Sequence, residues 1–131
     1  MRKTTISVPI YITLPRKTME DKKYGLNMNS YRNWNFHLSN TLKKEFKRII
    51  APQLKNKRFD YPTIEYCLYY PDKRSRDKMN FASIISKFFL DALVECGCIL
   101  DDNDYFIGRE IAEIPQIDKE NPRCDIILTE L

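Results

Sequence analysis

Thr63-Ile64-Glu65-Tyr66-Cys67-Leu68-Tyr69-Tyr70 is a run rich in β-branched and aromatic residues, and it reads as a strand. Pro71 ends the run, and the basic loop Asp72-Lys73-Arg74-Ser75-Arg76 follows. Beyond Asp77 the period changes. At roughly 100° per residue, Phe81, Ile85, Phe88, Phe89, Ala92, Leu93 and Cys96 fall on one broad arc. The spacing predicts a helix over about Asn80 to Cys96 with one buried face, and Gly97 reads as its C-cap glycine. A strand, a basic loop and a helix therefore stand in series, and this unit decides the fold.

Working outward, Ile6, Val8, Ile10, Ile12 and Leu14 alternate with mostly polar residues, which predicts a half-buried strand. Pro9 marks that strand as an edge strand or a bulge. Residues 15–29 are polar and lysine-rich and read as a mobile loop. From about Ser30 to Ile50, Trp34, Leu38, Leu42, Phe46 and Ile49 recur at helical spacing, with Lys43, Lys44, Lys47 and Arg48 in the last turns and Pro52 as the stop. Strands near Tyr105–Ile114 and Cys124–Leu131 finish the chain. The expected fold is a single α/β domain over residues 1–131, with a small mixed sheet of about four strands and two main helices packed on one face. Any parallel strand–helix–strand crossover in it should be right-handed.

Composition sets the outer limits. The chain has 131 residues, 43% hydrophobic and 31% charged, which is ordinary for a globular protein. No apolar run approaches the roughly 20 residues that span a bilayer, so no membrane partner is expected. The basic start, Met1-Arg2-Lys3, leads into strand-like alternation and not into a signal core. Cys67, Cys96, Cys98 and Cys124 read as reduced thiols of a cytoplasmic protein. Cys96-Gly97-Cys98 is too tight for a zinc knuckle, and only His37 could add an imidazole. Charge is uneven: residues 1–60 hold 14 Lys/Arg and 4 Asp/Glu, and residues 61–131 hold 8 and 14. That asymmetry suits a polyanion surface beside a metal pocket, unless the two halves interleave once folded.

The chemistry lies at the ends of the second helix. Asp77 opens it and Asp101-Asp102 follows it, and Asp77, Asn80, Lys87 and Asp91 make a polar row along the edge of the buried face. Carboxylates of this kind hold a hard cation, Mg2+ or Mn2+ in its place, and neighbouring cations hold a phosphate backbone. Each residue also has a plainer role. Asp77 can serve as an N-cap. Lys87 and Asp91 can pair for a few tenths of a kcal/mol, and Asp101-Asp102-Asn103-Asp104 can be a solvated turn. At 1.5 Å per residue the two helix ends stand roughly 25 Å apart, so Asp77 and Asp102 do not meet through this helix alone.

Arg74-Ser75-Arg76-Asp77-Lys78-Met79-Asn80, then Lys87-Phe88-Phe89-Leu90-Asp91-Ala92-Leu93, then Gly97 and Asp101-Asp102, resembles the core of the RusA-type Holliday junction resolvases, phage and prophage endonucleases. The resemblance is strongest over residues 71–104 and extends more weakly to Asn27–Tyr31, where the family has an Asn-rich loop. It implies a homodimer that binds four-way or branched DNA and makes paired nicks with magnesium, in the cytoplasm of a bacterial host. It further implies that Asp77 and Asp102, with Asp101, are the metal ligands. Asp77, Asp102 and Lys87 would be the catalytic set, and Asn80 and Asp91 its support. Lys73, Arg74, Arg76, Lys78, Arg32, Lys43, Lys44 and Lys47 are the expected DNA contacts. The chain departs from the family at Met79, where the motif has a second aspartate, and a thioether does not replace a hard carboxylate ligand. The alternative it leaves is a branched-DNA-binding protein with lost or weakened cleavage. Tyr31, Trp34 and Phe36 could stack on unpaired bases, although Trp34 and Phe36 read first as core or dimer contacts.

Overall fold

The computed structural model describes residues 1–131. Its elements run β1 (Arg2–Val8), β2 (Tyr11–Leu14), β3 (Lys22–Gly25), α1 (Met28–Tyr31), α2 (Phe36–Leu54), β4 (Thr63–Tyr70), α3 (Lys78–Glu95), β5 (Glu110–Ala112), β6 (Gln116–Ile117) and β7 (Arg123–Glu130). The main sheet follows the order β1-β7-β4-β5, with β6 also pairing β4, and β2 and β3 form a separate hairpin. β7 is antiparallel to both β1 and β4, whereas β5 and β6 run parallel to β4. The expected α/β class with a mixed sheet and helices packed against it therefore holds, with five strands in the main sheet where about four were expected.

Alternation makes the sheet two-faced. Along β4, Ile64, Tyr66, Leu68 and Tyr70 are buried while the residues between them are half-buried. β7 repeats the pattern with Cys124, Ile126 and Leu128. These side chains join Leu42, Phe46 and Ile50 of α2 and Ile85, Phe88 and Phe89 of α3 in one core cluster. Phe46 and Phe88 meet edge to face at 5.7 Å. Truncating either to Ala should cost about 3–5 kcal/mol.

Four departures from the sequence reading have local causes. Ile6 to Leu14 is not one strand. Pro9 has no N–H to continue the ladder, so β1 ends at Val8 as an edge strand and the chain turns into β2. The stretch 15–29, expected as a loop, contains β3, which pairs Tyr24 with Ile12 and Gly25 with Tyr11. The first helix does not run from Ser30 to Ile50 either. Asn27 caps α1 by accepting from the Ser30 N–H at 2.9 Å, and Asn35 caps α2 by accepting from the Leu38 N–H at 2.8 Å. α2 then continues through Pro52 to Leu54, because a proline in the last turn forfeits little more than one backbone bond. Lys43, Lys44 and Lys47 consequently sit mid-helix and not at its end. The strand expected over Tyr105–Ile114 shrinks to Glu110–Ala112, because Asn103 draws residues 103–107 into a turn, accepting from the N–H groups of Phe106 and Ile107.

Candidate nucleic-acid interface and acidic turn

α3 begins where β4 ends, so the basic loop between them lies at the C-terminal edge of the sheet. Asp77 is the N-cap of α3, and its side chain accepts from the Met79 N–H at 2.9 Å. Above this helix start opens a cleft of about 900 Å³, lined by Arg74, Arg76, Asp77 and Asn80 from the loop and helix. Tyr11 and Lys23 of the β2–β3 hairpin close one wall, and Asn27, Asn29 and Ser30 of the α1 region another. Gly25 permits this closeness: a Cβ there would stand 2.6 Å from the Asn27 side-chain nitrogen.

The cations of the cleft differ in freedom. Arg76 pairs with Asp72 at 2.9 Å, its side chain only 10% exposed, and its guanidinium lies 4.8 Å from the centre of the Tyr70 ring. The hydrogen bond from Arg76 holds the Asp72 carboxyl below its ordinary range. Lys23 Nζ sits 4.4 Å from the centre of the Tyr11 ring and Arg74 is exposed, and neither forms an ion pair. Lys73 is exposed in the loop and Lys78 is the first residue of α3. The Tyr70 hydroxyl is buried without a hydrogen-bond partner. Arg32, another expected contact, is the exposed C-cap of α1.

The polar row on α3 is real, and it faces α1 and α2. After Asp77 and Asn80 at the cleft, Lys87 Nζ lies 5.8 Å from the Tyr31 ring centre. Asp91 pairs with Lys43 at 3.2 Å, and Glu95 with Lys47 at 2.9 Å. Lys87 and Asp91 do not form the intrahelical pair their spacing allows. Lys43 and Lys47, both expected at DNA, are thus each paired with a carboxylate of α3, whereas Lys44 has no ion-pair partner and is exposed. The basic and acidic halves of the sequence thus interleave here. Trp34 packs among Tyr24, Tyr31 and Phe88, while Phe36 stays 74% exposed.

Met79 faces elsewhere. It lies on the opposite flank of α3, in a shallow groove with Ser83, Ser86 and Glu110, not in the cleft. There the Glu110 carboxylate accepts from the Tyr66 hydroxyl at 2.5 Å and from the Ser86 hydroxyl at 2.6 Å.

The other end of α3 closes with paired C-terminal bonds. Gly97, at φ +74°, donates to the Val94 carbonyl at 3.1 Å, and Cys98 donates to the Leu93 carbonyl at 2.8 Å. The chain then reaches the exposed turn of Asp101 and Asp102. Asp101 accepts from the Asp102 N–H at 2.8 Å and from the Asn103 side chain at 3.1 Å, so both its oxygens serve the turn. Local desolvation, then the hydrogen bond and negative charge of Asp101, push the Asp102 carboxyl above its ordinary range, and Asp91 adds to the effect.

The donors at both ends of α3 are oxygens, which fits a hard cation in kind. The fold does not unite them within the chain. α3 has eighteen residues, about 27 Å of helix, between Asp77 and the acidic turn. No three His, Cys, Asp or Glu side chains lie together as a metal site. The four cysteines are free thiols, two of them buried. No helix is long and apolar enough to cross a membrane.

Sequence reasoning missed Tyr11 and Lys23. Lys23 stands in the four-residue Lys22-Lys23-Tyr24-Gly25, too short to show a period, and Tyr11 is one of the positions between the apolar residues of the Ile6–Leu14 alternation. No protein-family model matches the chain, and no curated protein matches it.

Proposed function

We propose that the protein is a homodimeric, magnesium-dependent endonuclease of the RusA type, which binds four-way DNA junctions and nicks them symmetrically in the cytoplasm of a bacterial host. The observation that carries this reading is the cleft. Lys23, Arg74 and Arg76 stand around the N-terminus of an eighteen-residue helix, among amide and hydroxyl side chains. Cations, hydrogen-bonding side chains and the positive end of a helix dipole suit a phosphodiester backbone.

A second protomer supplies what one lacks. Two sites related by a two-fold axis match a two-fold junction. Exposed apolar side chains stand beside the acidic turn, Leu100 at 80% and Tyr105 at 88%. An isologous contact that covers both ends of α3 removes these from water and sets Asp77 of one protomer against Asp102 of its partner. Those two carboxylates, with Asp101 behind Asp102, would hold the cation, which when bound activates water and offsets charge on the phosphate. Arg74 and Lys23 orient the backbone in the cleft. Lys87, exposed on the same row of α3, adds positive charge along the strand. Asn80 lines the cleft, and Asp91 is held by Lys43.

The position of Met79 favours a second reading, a branched-DNA-binding protein with weakened or lost cleavage. The cleft holds only one other carboxylate, Asp72, and Arg76 already neutralises it. A labelled synthetic four-way junction, incubated with and without magnesium or manganese, decides between the two. Symmetric nicks that vanish in Asp102→Asn are expected. A stable shifted complex that is never nicked leaves the binding reading, and equal affinity for junction and plain duplex removes both.

A further inference from the structure

A second group of cations lies away from the cleft. The groove between α2 and α3, lined by Lys44 and Arg48, continues past Ala51 into a hollow lined by Lys55 and Asn56. Asn56 in turn borders a third hollow, lined by Arg2, Lys3, Lys57 and Arg58. The three share walls and form one track down the second half of α2 to the start of β1. Lys43, Lys47, Arg48 and Arg2 along this track are each paired with a carboxylate. Lys3, Lys44, Lys55, Lys57 and Arg58 are exposed, and none of them forms an ion pair.

The end of α2 does not account for them. A helix C-terminus carries the equivalent of about half a negative charge, which one or two of these side chains already offset. Asn56, held at φ 62°, turns the chain out of the helix and begins the Asn56–Phe59 rim of the last hollow. The track also lies at the opposite end of β1 from the cleft. Arg2 and Val8 are the two ends of this seven-residue strand, roughly 20 Å apart, or about six base pairs at 3.4 Å each.

We infer that this track is a second nucleic-acid surface, one that takes the phosphate backbone of ordinary duplex DNA without regard to sequence. A lengthwise, concave row of unpaired cations suits a polyanionic rod. The inference extends the proposed function, because it assigns the duplex arms a surface of their own, but it stands on separate residues and is tested on a separate probe.

The probe is a plain 20-base-pair duplex, bound by the full chain at several salt concentrations. In the combined variant Lys3→Gln, Lys55→Gln, Lys57→Gln, Arg58→Gln, duplex affinity should fall about tenfold or more. The slope of log affinity against log salt should flatten by about 0.9 for each phosphate contact removed. The charge-keeping exchanges Lys57→Arg and Arg58→Lys should leave both unchanged, and unaltered thermal unfolding confirms the fold. Wild-type affinity and slope in the Gln variant overturn the inference, as does a wild-type protein that ignores duplex at low salt. Loss of binding to anionic lipid vesicles with duplex affinity intact would assign the track to a membrane surface and overturn it too. Junction preference over duplex, measured in Lys23→Gln with Arg74→Gln, reads the cleft instead, so either proposal can fail without the other.

Discussion

The two ends of α3 are built alike and charged oppositely. At its start, Asp77 caps the helix beneath a cleft whose free charges are positive. At its finish, Gly97 closes the helix and the chain runs into Asp101 and Asp102, whose like charges oppose each other. The helix between them is pinned by its buried face and by the Lys43–Asp91 and Lys47–Glu95 pairs to α2. It therefore spans the distance between them as one packed helix. The cationic cleft and the acidic turn thus stand about 27 Å apart in one chain, so the metal-assisted cleavage proposed above is not reached by local adjustment. Under that proposal a second copy would bring the two ends together.

The test with the largest effect breaks that comparison by mixing protomers. Asp77→Asn and Asp102→Asn homodimers should each be inactive on a four-way junction. Asn caps as well as Asp, so the first variant keeps its helix start. A heterodimer purified through two different tags carries one site with both substitutions and one with neither. It should recover about half the nicking of the wild type and cut a single strand per binding event. A heterodimer as inactive as its parents means that Asp77 and Asp102 do not act together across the subunits.

A smaller effect separates cap from chemistry at each end. Asp77→Ala removes the bond to the Met79 N–H and should cost about 1 kcal/mol, while Asp77→Asn should cost almost nothing. At the other end, Gly97→Ala meets no atom within 4 Å, yet it forces a β-carbon into the left-handed region, for about 1–2 kcal/mol. Thermal unfolding should register roughly 3–5 °C per kcal/mol in a chain of this size. Equal losses in Asp77→Ala and Asp77→Asn would mean that its charge and not its capping oxygen supports the helix.

Both helix ends were legible in the sequence, because caps are local. Asp77 before an apolar period and Gly97 after it need no knowledge of the rest of the fold. β4 was equally plain, since eight residues in a row rich in β-branched and aromatic types read as a strand. What stayed hidden depends on pairing across the chain. β3 is four residues long inside a stretch read as a loop, and β2 was read as the continuation of β1, so nothing showed that they pair as a hairpin and form the cleft wall of Tyr11 and Lys23. The partners of Lys43 and Lys47 lie almost fifty residues away on a helix whose packing the sequence does not announce. Met79 was legible as the wrong residue for a ligand, but not as facing Glu110 on the far flank of α3.

The smallest prediction sharpens the acidic end. A carboxyl whose affinity for protons is raised by folding opposes stability when ionised. For Asp102 that opposition is complete above its folded-state range. It fades as pH falls and is gone below the ordinary carboxyl value of about 3.9. Asp102→Asn removes the ionised form, so the variant should melt slightly above the wild type at pH 7, and the difference should close on acidification. Magnesium tests the same charge from the other side. A cation drawn to Asp101 and Asp102 relieves their repulsion, so millimolar Mg2+ should raise the wild-type melting temperature and leave Asp102→Asn nearly where it was. Equal responses of both proteins to the cation would remove Asp102 from the metal-binding set. The nicking role would then rest on Asp77 alone, and the acidic turn would be a solvated loop whose only work is to return the chain from α3 towards β5.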